Sequence, residues 1–248
     1  MSDLPARIDS KPGAVVHGSP GANPRQRGTL RMAAPFLAGA FAAGWLVRVA
    51  LPAPALPARW AGLGLVLLAT AMAVLALHMR RRRLDYLRGA RGEEETARFL
   101  VGLPQGSHVF HGLTVPGGGL AGGDIDHVAV SPSGVFVVET LNWSGRATIS
   151  EGRLLYDGAE PDRNPVDRVR QAATSLRDHL QASGVSVPVQ PVLCLPRPAL
   201  GKDTEGVAGV IVCRQTALPG ILCESSDPSL GSATVDRIAG LLKPLTEE

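Results

Sequence analysis

The residues best placed to do chemistry lie on one Val-rich hairpin. It runs Gly123-Asp124-Ile125-Asp126-His127-Val128-Ala129-Val130, turns through Ser131-Pro132-Ser133, and returns as Gly134-Val135-Phe136-Val137-Val138-Glu139-Thr140-Leu141. Two apolar runs around Ser-Pro-Ser-Gly read as antiparallel strands joined by a short turn. If Val130 pairs with Val135, Asp126 lies opposite Glu139 and Asp124 opposite Leu141. Side chains alternate along a strand, so Asp126, Glu139 and Leu141 share one face and His127 packs on the other. Directly opposed Cβ atoms sit about 4.5–5.5 Å apart, where like charges repel. A cation between the two carboxylates, or a shared proton, relieves that repulsion. The hairpin is therefore a candidate divalent-metal site; a solvated acidic sheet face is the bland alternative.

The chain of 248 residues can hold one sizeable domain plus extensions. Its charge is divided. Residues 1–92 carry 13 Lys+Arg against 3 Asp+Glu, and residues 93–248 carry 12 against 19. The basic pI thus describes the N-terminal part, and a nucleic-acid reading of the rest cannot lean on it. Cys194, Cys213 and Cys223 have no Cys-x-x-Cys spacing and are one ligand short of a zinc site. They read as reduced thiols, small residues of a core.

Residues 1–30, rich in Pro, Gly, Ser and Arg, predict a disordered basic tail. Two apolar segments follow, at about 33–51 and 60–79, joined by a short Pro-rich connector. About 20 apolar residues make about 30 Å of helix, enough to cross a bilayer. Arg25, Arg27 and Arg31 precede the pair and Arg80, Arg81, Arg82 and Arg83 follow it. The positive-inside rule then makes 31–83 a transmembrane hairpin, with both termini and the globular domain on the cytoplasmic side of the cell membrane. The lipid bilayer is the partner this implies. The first segment also has the length of a signal-peptide core.

The globular domain is expected over 84–248. Arg91–Val101 patterns as a helix with Glu93, Glu94 and Glu95 in its first turn, where acids suit the helix dipole. A strand around Val109–Val115 and a Gly-rich loop at 117–123 lead into the central hairpin. The loop lacks the spacing of a phosphate cradle. A smaller hairpin turns at Glu151-Gly152. Asn164-Pro165 starts a helix striped by Val166, Val169, Ala173, Leu176 and Leu180 and closed by Gly184. Strands at Val187–Leu195 and Val207–Cys213 precede a helix that Ser232 caps and Pro244 stops. This order predicts an α/β domain with a mixed central β-sheet flanked by helices.

Four stretches resemble the nuclease-related domain, NERD: Gly89-Ala90-Arg91-Gly92-Glu93, Asp124-Ile125-Asp126-His127, the run from Gly134 through Glu139-Thr140-Leu141-Asn142-Trp143-Ser144-Gly145, and Asn164-Pro165. The resemblance covers about residues 86–215. NERD domains resemble the PD-(D/E)XK nucleases, with a restriction-endonuclease-like fold, a helix Glu, a strand Asp and a Glu-x-Lys. Residue by residue, the resemblance implies Glu93, Asp126 and Glu139 as catalytic and metal-binding acids. Mg²⁺ or Mn²⁺ would be the cofactor and DNA or RNA the partner. Hard oxygen ligands of this kind hold such an ion and leave room for a phosphate oxygen.

The lysine position of that pattern is Leu141, which can neither move a proton nor offset charge on a phosphoryl group. Losing such a group costs about 10²–10⁴-fold in rate. Arg168 and Arg146 are the candidate phosphate contacts, and arginine is a poor proton acceptor because it stays charged. Three readings follow: a membrane-anchored nuclease-like domain that binds nucleic acid or a metal with weak or absent cleavage, an active nuclease with a substitute basic residue, and a non-enzymatic membrane-proximal interaction module.

Overall fold

A computed structural model of the chain describes residues 13–21, 37–45, 58–116, 124–142, 145–197, 200–224 and 230–246, without the side chains of 58–65 and 78–86. The chain divides into two compact units, residues 23–90 and the remainder.

In the unit 23–90, residues 37–45 are helical (α1) and the helix α2, Ala58–Leu100, begins. A Cβ on Gly39 would lie 2.5 Å from the Met72 sulfur, so the small residue lets α1 approach α2 closely. Leu37, Phe41 and Trp45 of α1 and Val66, Leu67, Val74 and Leu77 of α2 are exposed. Among the described residues no helix is long and apolar enough to cross a membrane. Much of the two expected crossings lies outside the described residues and side chains.

The other unit is built on a seven-stranded sheet. Its strands are β1 (Val15–His17), β2 (His108–Leu113), β3 (Ile125–Ser131), β4 (Gly134–Thr140), β7 (Val189–Leu195), β8 (Thr204–Val207) and β9 (Val210–Arg214), in the spatial order β1-β2-β3-β4-β7-β9-β8. The β1–β2, β4–β7 and β7–β9 pairs are parallel and the others antiparallel, so the sheet is mixed as expected. The hairpin β5 (Ala147–Ser150) and β6 (Arg153–Tyr156) stands apart as a second sheet.

Helices cover both faces because both faces of the central strands are apolar. On one face, α3 (Pro165–Ala182) and α5 (Ser232–Leu242) pack over Val128, Val130, Val135, Val137 and Leu193. On the other, Leu100 and the short helix α4 (Leu218–Cys223) pack over Val109, Ala129, Phe136, Val138 and Cys194. The α3 start follows its sequence: Asn164 Oδ1 accepts the Val166 N–H at 3.0 Å and Pro165 takes the first turn. Gly184, at φ +75°, turns the chain away after the C-terminus.

Several expectations need correction. The tail predicted at 1–30 contains β1, whose three residues pair with β2. Helix α2 is continuous through Leu100, so Glu93, Glu94 and Glu95 are not in a first turn and gain nothing from a helix N-terminus. The single strand expected at Val207–Cys213 is a hairpin, β8–β9, turning at Ala208 and Gly209, both with positive φ. That is the backbone of a two-residue hairpin loop. Gly231, not Ser232, is the N-cap of α5, with no side-chain cap bond. Cys194 and Cys213 are buried, but Cys223 is exposed. The Gly-rich loop at 117–123, Trp143 and most of the predicted tail lie outside the described residues.

Candidate functional site

The hairpin register is the one the turn implies: Val130 pairs with Val135 and His127 with Val138. One step further out, the two acids meet through reciprocal bonds. The Thr140 N–H donates to Asp126 Oδ2 at 2.8 Å, and the Asp126 N–H donates to the Glu139 carboxylate. Glu139 is 5 % exposed. Asp124, also buried, accepts the Thr114 hydroxyl at 2.7 Å. Glu93 arrives from α2 and interacts electrostatically with Asp126 and Asp124. The structure therefore sets Asp126 beside Glu139, with Glu93 and Asp124 within electrostatic range of Asp126.

The cation among them is Arg168. Its Nη2 lies 3.0 Å from Glu139 Oε2 and 3.9 Å from Asp126 Oδ1. Position 168, one turn into α3, projects toward the sheet because Val166 and Val169 anchor the helix face on β4 and β7. The sequence offers Arg168 as a candidate phosphate contact; its place as countercharge to Glu139 depends on the helix crossing, which no local pattern encodes. Arg146 does not join the site. It is exposed, its backbone N–H donates to Asp157 Oδ1 at 2.7 Å, and among the described residues it forms no ion pair with the acids.

A second contact came with no sequence signal. The chain leaving β1 brings the Gly21 N–H to Glu93 Oε2 at 3.2 Å. Nothing in the composition of residues 13–21 marks them as part of a site.

These surroundings set the protonation of the acids. Burial, then the charge of Asp126, raise Glu93 to about 8, against the pull of the Gly21 N–H and Arg168. Burial and Asp126 likewise hold Glu139 well above the usual carboxylate range, with Arg168 opposing. Burial raises Asp126 too, opposed by Arg168 and the Thr140 N–H. Glu139 first, then Asp126, hold the Arg168 guanidinium more firmly charged. The cluster therefore keeps at least one proton at neutral pH.

Leu141 occupies the position where the resembling pattern has a lysine. Its N–H donates to the Cys194 carbonyl at 2.9 Å, extending the β4–β7 pairing, and its side chain packs against the core beneath α3. No ammonium stands at that position.

The acids are of the right chemistry for Mg²⁺ or Mn²⁺, but the arrangement does not suit one. A divalent ion held by Asp126 and Glu139 would share their oxygens with a guanidinium. Like unit charges at about 4 Å cost about 4 kcal/mol at an effective dielectric near 20, and a double charge doubles that. Among the described residues no group of three or more His, Cys, Asp or Glu side chains is arranged to hold a metal ion.

On the opposite face of the sheet, His111 and His127 are fully enclosed, with Nδ1 atoms 2.7 Å apart. This fits the packed histidine expected at 127. Burial lowers His111 to about 4 and His127 well below its ordinary value.

Neither a curated protein nor a solved structure matches the chain. Residues 88–196, the segment that carries Glu93, the acidic hairpin, Leu141 and Arg168, match the family model of the nuclease-related domain, NERD.

Proposed function

We propose that the chain is a membrane-anchored NERD-type protein whose nuclease-like domain has lost efficient phosphodiester cleavage. The observation that carries this reading is the combination on one strand: Glu139 paired to Arg168, and Leu141 turned into the core where the nuclease pattern has a lysine. The acids persist without the group that would activate a water or offset phosphoryl charge. Removing a proton-transfer group and an electrostatic one each costs orders of magnitude in rate.

Membrane anchoring rests on the sequence of 60–79 with its trailing arginines and on the exposed apolar side chains of α1 and α2. Sheet topology supports an even number of crossings. Strand β1 precedes the unit 23–90, β2 follows it, and the two are neighbours in one sheet. This pairing supports both flanks of the apolar pair lying on one side, and the arginine distribution favours the cytoplasmic one.

The acidic surplus of residues 93–248 favours a second reading, an interaction module that uses the fold as a scaffold, because nucleic-acid backbone affinity needs clustered Lys or Arg. One experiment separates the readings. Full-length protein extracted from membranes with detergent is incubated with plasmid and single-stranded DNA in Mg²⁺ or Mn²⁺. The expected result is retention at low salt, with no cleavage above that of Glu139→Ala. Cleavage that Glu139→Ala abolishes would show an active nuclease. Absence of any nucleic-acid retention at low salt would select the interaction module.

A further inference from the structure

The family pattern calls for a divalent ion at these acids, yet this chain supplies its own cation there. We infer that Arg168 is a resident countercharge that takes the divalent ion's place, so that the acidic site is closed to Mg²⁺ and Mn²⁺ as long as the guanidinium is present. The inference rests on reading Glu93, Asp126 and Glu139 as a nuclease-type acidic site.

Three observations carry it. The first is position: Arg168 contacts Glu139 at 3.0 Å and reaches Asp126 at 3.9 Å, the two carboxylates that the hairpin register sets opposite each other. The second is that each carboxylate already accepts a bond from the protein itself. Asp126 takes the Thr140 N–H, Glu139 the Asp126 N–H, Glu93 the Gly21 N–H and Asp124 the Thr114 hydroxyl. An ion entering the site would compete with these bonds in addition to the guanidinium. The third is anchorage. Arg168 projects from a helix whose neighbouring Val166 and Val169 are buried in the core, so its base is fixed although its side chain is half exposed.

Charge accounts for why this substitution holds the fold. Four buried or half-buried carboxyls on adjacent elements repel one another unless a cation or protons intervene. A divalent ion does this only when bound, whereas an arginine does it permanently and at every metal concentration. The arginine also lacks what an ion gives a nuclease: it cannot carry a water whose proton is easily lost. A site closed in this way is a stable end state for a domain that keeps the fold without the reaction.

Mn²⁺ binding to the full chain in detergent tests the inference, with MnCl₂ as the probe and the electron paramagnetic resonance signal of free Mn²⁺ as the readout. Wild type is expected to take up no Mn²⁺ at millimolar concentration and to show no Mn²⁺-dependent rise in melting temperature. Arg168→Gln, which removes the charge and keeps a polar side chain, is expected to bind Mn²⁺ at least tenfold more tightly and to melt higher when the ion is added. Adding Glu139→Gln to that variant should erase the gain. Arg168→Lys retains a cation and should stay closed. Wild-type uptake that Glu139→Gln abolishes would overturn the inference, and this arm does not depend on any Arg168 variant folding. A folded Arg168→Gln protein that binds no Mn²⁺ would overturn it equally. Metal-dependent DNA cleavage by wild type would instead defeat the reading of a non-cleaving domain, whereas Mn²⁺ uptake without cleavage would defeat only the resident-cation inference.

Discussion

Arg168→Met destabilises the globular unit by about 2–4 kcal/mol at pH 8, measured by chemical denaturation. Breaking a buried ion pair by removing one partner costs about 3–5 kcal/mol, because the other charge is left without compensation. Glu139 meets that description, but the Arg168 side chain is 55 % exposed, and solvent screening reduces the figure. The cost depends on pH in a definite direction. At pH 5 the acids of the cluster can hold protons and need the guanidinium less, so the same substitution costs less there. A loss that is equal at pH 5 and pH 8 would mean that Arg168 stabilises the fold by packing of its stem and not by its charge.

The second large effect is a stability maximum in mildly acidic solution, produced by two opposed sets of groups. Glu93 ionises at about 8 when folded against 4.5 as an ordinary carboxyl. Its folded value is raised, so its contribution is fully present below about 4.5 and is lost as pH climbs to about 8. Glu139 acts in the same direction. The histidine pair does the reverse. His111 falls from 6.5 to about 4 on folding, and burial holds His127 well below its ordinary value too. A depressed histidine contributes stability above 6.5 that is lost as pH drops through the folded value. Between about 4.5 and 6.5 the two tendencies oppose each other and the profile is flat. Above 6.5 only the acids count and stability declines; below 4.5 the histidines dominate and it declines again. Glu93 alone gives the alkaline arm above pH 6.5 about 2 kcal/mol, since it ionises at about 8 and one pKa unit corresponds to about 1.4 kcal/mol. Glu93→Gln should flatten the alkaline arm and leave the acidic one. His111→Phe combined with His127→Leu should flatten the acidic arm and leave the alkaline one. Denaturation midpoints at half-unit intervals from pH 4 to 9 check both.

Features encoded by neighbours in sequence were legible before any coordinates. Ser-Pro-Ser-Gly between two Val runs gave the register that sets Asp126 against Glu139. Asn164-Pro165 and a 3.6-residue stripe gave α3 nearly to the residue. Features that depend on distant parts of the chain were hidden. Strand β1 has three residues in a Gly/Pro-rich stretch and pairs in parallel with a strand some ninety positions later, so its own residues carry no strand periodicity. Helix α2 changes from an apolar to a charged face without a break, and the composition shift suggests two helices where there is one. The β8–β9 turn is Ala208-Gly209 within an apolar run, without the Asn-Gly or Asp-Gly signature of a tight hairpin.

The same division explains the site. Asp126 and Glu139 were readable because two paired strands fix them, and Leu141 followed from the same alternation. The Arg168 contact requires knowing how α3 crosses β4 and β7, and the Gly21 contact requires knowing that residues before the apolar segments return to the domain. The resemblance could place Glu93 with the other acids, but it could not reveal that this chain neutralises them with its own side chain.

The central claim, a nuclease-type acidic site closed by its own arginine, is tested most directly by crystals of the full chain soaked in MnCl₂, with diffraction recorded where manganese scatters anomalously. The account predicts no anomalous peak between Asp126 and Glu139 and density for the Arg168 guanidinium bridging them. A manganese peak coordinated by Asp126 and Glu139, with Arg168 turned out to solvent, would contradict it.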